Sequence, residues 1–83
     1  MKANLKLVSN NARPTLTRPI RTEYNGPGYG GVGHSRTDVG ALKAALPRVM
    51  SGEFSGAVIY DAFGNARYKI TRRGESTSVR KYF

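Results

Sequence analysis

The chain has 83 residues, with 14 Lys or Arg against 5 Asp or Glu, a net charge of +9 at pH 7. It contains no Cys, no Trp and one His, His34. These counts exclude a disulfide framework, a zinc finger and a thiol redox motif, and the length allows one small domain without the deep cleft of a large enzyme.

No run of residues approaches the roughly 18–20 consecutive apolar positions of a membrane span. The first nine residues begin with a positive charge but hold no long apolar stretch. No signal peptide and no membrane partner are therefore expected, and a cytoplasmic setting is the default, host cytoplasm for a viral protein.

In chain order, residues 3–8 alternate Leu5 and Leu7 as a short strand would, and Asn10-Asn11 breaks the pattern. Residues 15–24 are rich in β-formers. Pro19 cannot donate to a ladder, so this stretch reads as an edge strand or a loose extended segment. Residues 24–34 contain five glycines in eleven positions and read as a flexible loop spanning 25–35.

A helix follows. Thr37 or Asp38 can cap it, and Val39, Leu42, Leu46 and Val49 recur at spacings of three and four as one apolar stripe. Pro47 predicts an end or a kink near Leu46. The clearest local signal is a hairpin. Residues 56–60 form a strand, Asp61–Gly64 a turn, and residues 66–72 alternate apolar and polar side chains with period two. Gly74 marks another turn, and residues 76–83 a further strand.

Leu, Ile, Val and Phe together make up only 17 of the 83 residues, six of them before residue 37. Such a chain sits near the lower limit for burying its own core. The expected architecture is α+β: a small antiparallel sheet of three to four strands with one helix on one face. This compact α-β-β-β nucleus, residues 37–83, follows an extended basic amino-terminal arm over residues 1–36. A thin core also makes homo-oligomerisation a possible source of stability.

Side chains that alternate along 66–73 put Arg67, Lys69, Thr71 and Arg73 on one face. In the last strand Arg80 and Tyr82 share a side opposite Val79 and Phe83. A helix covers only one face, so the other is expected to show Arg67, Lys69, Arg73, Arg80 and Tyr82. Cations with an aromatic ring among them suit nucleic acid, because the cations meet phosphates and the ring stacks on a base. The arm carries Lys2, Lys6, Arg13, Arg18, Arg21 and Arg36 against the single acid Glu23. Arg13, Arg18 and Arg21 could grip backbone phosphates, and Tyr29 in the glycine segment could stack or meet a partner.

Two other chemistries fail on the residues themselves. Residues 28–33 match G-x-G-x-x-G, but a dinucleotide site needs a parallel βαβ crossover, and here the helix leads straight into a hairpin. His34 and Ser35 are adjacent, which does not present a nucleophile to its base, and the acids are scattered along the chain. No cofactor, metal or catalytic residue is therefore expected.

The expected function is that of a small, basic, non-enzymatic protein that contacts DNA or RNA through a basic sheet face and arm. The same charge admits two alternatives. One is a phage-type accessory protein that inhibits or docks onto an acidic surface of a host protein. The other is a structural subunit whose arm laces into its neighbours.

Overall fold

The computed structural model describes residues 17–26 and 28–83. Among them are five strands and one helix: β1 (Ile20–Gly26), β2 (Tyr29–Ser35), α1 (Asp38–Met50), β3 (Gly56–Tyr60), β4 (Ala66–Arg73) and β5 (Ser76–Lys81). The strands form one antiparallel sheet in the order β2-β1-β3-β4-β5. The fold is α+β as the sequence predicts, with five strands rather than three or four. The strand expected at residues 3–8 lies outside the described residues.

The additional strands come from residues 20–35, which read as an edge strand or loose extended segment followed by a flexible loop. Instead, β1 is an internal strand between β2 and β3, and Pro19 immediately precedes it, so no donor is missing from its ladder. The glycine segment supplies β2, paired along its length with β1. Tertiary packing explains why glycine serves there. A Cβ on Gly30 would lie 2.8 Å from the Tyr24 carbonyl oxygen, too close for any side chain. On the other face, Gly33 leaves room for the Tyr24 ring, which stacks on Phe54 with centroids 4.7 Å apart. Two aromatic rings therefore occupy the volume that β2 gives up, and their burial offsets the entropy lost on ordering glycine.

The β3–β4–β5 meander follows the sequence reading closely. Asp61 holds the first turn: its Oδ1 accepts from the backbone N–H groups of Phe63 and Asn65, both at 2.9 Å. Gly64 takes φ of 85° to close it. The β3–β4 register slips at Ile59/Tyr60, where Ile59 pairs with Tyr68 but Tyr60 pairs with Ala66. Arg67 is the extra residue of a bulge, which re-aims its side chain.

Thr37 is the N-cap of α1, its hydroxyl accepting from the Gly40 N–H at 3.0 Å. The buried line of the helix is Ala41, Ala45 and Val49, with Leu42 and Leu46 only partly buried beside it. Val39, expected in the apolar stripe, is exposed. The small alanines let the helix settle closely onto Ala57, Ile59 and Ile70 of the sheet, and the leucines flank that contact. Pro47 does not end the helix, which runs on to Met50. Both Lys43 and Pro47 are exposed, so water can satisfy the carbonyl that Pro47 leaves without a donor. No helix among the described residues is long and apolar enough to cross a membrane.

Candidate nucleic-acid interface

Helix α1 covers the face that carries Ile20, Thr22, Tyr24, Ala57, Ile59, Tyr68 and Ile70. Alternation along each strand sends the intervening residues to the open face. The register then sets them in rows. His34, Arg21 and Tyr60 lie side by side across β2, β1 and β3. The next row runs Val32, Glu23, Val58, Lys69, Arg80 from one edge of the sheet to the other. On β4 and β5 it is followed by Thr71 beside Ser78, and Arg73 beside Ser76.

The charge on this face is asymmetric. A shallow cleft of about 330 Å³ lies along β4 and β5, lined by Lys69, Thr71, Arg73, Ser78, Val79 and Arg80. Three cations and two hydroxyls border it, and no carboxylate does. Among the described residues the one acid whose strand position faces this side is Glu23, and it is paired with Arg21 at 3.1 Å. Other acids are engaged elsewhere. Asp38 meets Arg67 at 3.2 Å and Glu53 meets Arg48 at 2.8 Å, and that bond from Arg48 holds the Glu53 carboxyl below the ordinary carboxylate range. Asp61 is held low by the backbone N–H bonds of its own turn, that of Asn65 first. The fifth acid, Glu75, lies in the turn between Arg73 and Ser76, so the positive excess is least compensated at the Lys69 and Arg80 end of the β4–β5 cleft.

The site residues expected from sequence separate into groups. Lys69, Arg73, Arg80 and Tyr82 are brought together on the open face. Tyr82 continues the β5 ladder, its N–H donating to the Arg67 carbonyl at 3.0 Å, and the Arg80 guanidinium lies 5.3 Å from its ring centre. Arg67 does not join them. The bulge turns it to the helix side, where it pairs with Asp38 and lies 3.8 Å from the centre of the Phe83 ring. Tyr29 also sits on the helix side, its hydroxyl donating to the Glu53 carbonyl and its ring 5.4 Å from that of Phe54. Arg21 does reach the open face, as part of β1 rather than of a loose arm, and its guanidinium lies 4.7 Å from the centre of the Tyr60 ring. Arg18 is exposed just before β1, and Arg13 lies outside the described residues.

The sequence reading passed over Tyr60 and Ser78. The alternation of β3 would place Tyr60 on the open face once β1 is recognised as its neighbour. Ser78 follows from the β4–β5 register, which a sequence does not print. Among the described residues no group of three or more His, Cys, Asp and Glu side chains converges. Protein families, curated proteins and solved structures were compared with this chain, and none matches it.

Proposed function

We propose that this protein binds nucleic acid, without catalysis and independently of base sequence, through the open face of its sheet. The β4–β5 cleft carries the reading. Lys69, Arg73 and Arg80 line it with no carboxylate among the lining residues, and Thr71 and Ser78 add hydroxyl donors between them. Cations and hydroxyls in that arrangement suit phosphate oxygens, which fix a nucleic acid in place without reading its bases. Tyr82 beside Arg80 adds a ring for base stacking.

The test is the salt dependence of affinity. Each phosphate contact releases condensed counterions, so the log–log slope is about −0.9 per contact on duplex DNA and about −0.7 on a single strand. A Lys69→Ala/Arg80→Ala double variant is expected to weaken binding on every sequence and to flatten the slope by up to two contacts. Lys43→Ala, on the exposed side of α1, is expected to leave the slope of the wild type. Equal effects of these variants, or no binding at low salt, overturn the reading and direct the search to an acidic protein surface.

A further inference from the structure

The end of the sheet next to the cleft gathers aromatic rings in a way the phosphate reading does not require. Tyr60 closes β3 on the open face, Phe63 stands in the turn that follows, and Tyr82 lies just past the end of β5. The β4 residue opposite Tyr60 is Ala66, so the strand between the two tyrosines presents only a methyl group there. Each tyrosine has a guanidinium against it, Arg21 on Tyr60 and Arg80 by Tyr82. Phe63 is 90% exposed, yet its backbone is fixed by the N–H bond to Asp61. The turn fixes where the backbone presents the ring, so binding has only the side chain left to order.

We infer that the ligand of this face is a single strand, whose phosphates lie in the β4–β5 cleft while its bases stack at the end of the sheet formed by Tyr60, Phe63 and Tyr82. The inference rests on the nucleic-acid reading above and narrows it. Stacking needs unpaired bases, because a duplex keeps its ring faces covered. The guanidinium planes of Arg21 and Arg80 extend the stacking surface, as arginine does where unstacked bases are bound.

The experiment compares a fluorescently labelled single-stranded oligonucleotide with its own duplex at low salt. The wild type is expected to prefer the single strand. Phe63→Ala and Tyr82→Ala, both at exposed positions, are each expected to weaken single-strand binding by roughly 5- to 150-fold, the equivalent of about 1–3 kcal/mol per stacked base. The salt slope and duplex binding are expected to stay as in the wild type, since stacking releases no ions. Circular dichroism of each variant checks that the sheet is retained. Equal affinity for both ligands, with both aromatic variants unchanged while Lys69→Ala/Arg80→Ala still loses binding, overturns the single-strand inference and leaves the phosphate reading standing. Loss of binding in none of the variants overturns both.

Discussion

Arg67 and Asp38, 29 positions apart in sequence, meet at 3.2 Å between guanidinium and carboxylate. Asp38 opens α1 and Arg67 sits in the β4 bulge, so this ion pair fastens the start of the helix to the sheet. Asp38 is also well placed for the positive end of the helix dipole. The Arg67 guanidinium stacks on Phe83 as well, binding the end of the chain to the same point.

The first prediction separates stability from binding. Arg67→Ala removes a half-buried ion pair and a cation–π contact, for a loss of roughly 1–2 kcal/mol in denaturant unfolding. Its salt slope for nucleic acid is expected to match that of the wild type. Lys69→Ala is expected to do the reverse, with an unchanged unfolding midpoint and a reduced slope. A slope change for Arg67→Ala would mean that the bulge does not hold it on the helix side.

The second prediction concerns the core. Ile59 is fully buried beneath α1, and truncating it to Ala is expected to cost about 2–5 kcal/mol. Leu46 is only partly buried, so Leu46→Ala is expected to cost clearly less. Val39→Ala is expected to leave the midpoint almost unmoved, since Val39 is 51% exposed. The order of the three urea midpoints checks the rotation of the helix.

The sequence made the meander legible because its signals are local. The Asp61–Gly64 turn and the alternation along β4 depend only on neighbours. The helix was legible in extent but not in rotation, since the pattern of large apolar residues hides the alanines that actually touch the sheet. Tyr24 and Phe54 explain why β2 was missed. The glycines look like entropy without compensation until those two rings are stacked against them. Arg67 was misplaced for a related reason. Strict alternation assumes a regular ladder, and the slip at Ile59/Tyr60 exists only in the pairing of two strands.

A third prediction follows from β2. Gly30→Ala places a methyl 2.8 Å from the Tyr24 carbonyl oxygen, and the backbone must move to admit it. Overpacking of this kind is expected to cost about 1–3 kcal/mol. Gly31→Ala is the control. Its methyl would sit 3.8 Å from the Phe54 ring, an ordinary contact, and the variant is expected to be neutral or slightly stabilised. Thermal midpoints of the two variants give the comparison, and equal midpoints would contradict the close approach of β1 and β2.

The fourth prediction concerns acid. Asp61 and Glu53 both titrate below their ordinary values, Asp61 through backbone N–H bonds and Glu53 through Arg48. A carboxyl depressed in the folded state binds protons less readily there than in the unfolded chain. Its stabilising effect is therefore complete above the unfolded pKa of about 4 and is lost as pH falls through the lower folded value. Unfolding midpoints of the wild type are expected to drop below about pH 4. Asp61→Asn is expected to show a shallower acid limb, and an NMR titration of Asp61 is expected to give a midpoint below that of an aspartate in an unstructured peptide.

The strand order has a consequence for how the molecule assembles. Three of the four seams of the sheet join strands that follow each other in sequence, and only β1–β3 joins distant ones, pairing Arg21 with Tyr60. The β1–β2 hairpin and the β3–β4–β5 meander each close short loops at small entropic cost, while their union requires the long connection through α1. The helix packs on both β1 and β3, so it spans this seam like a clasp. The chain is thus wired as two local pieces, and their union across β1–β3 is expected to be a late step of folding. Pulse-labelled amide exchange during refolding is expected to protect the β1–β3 bonds after those of the meander.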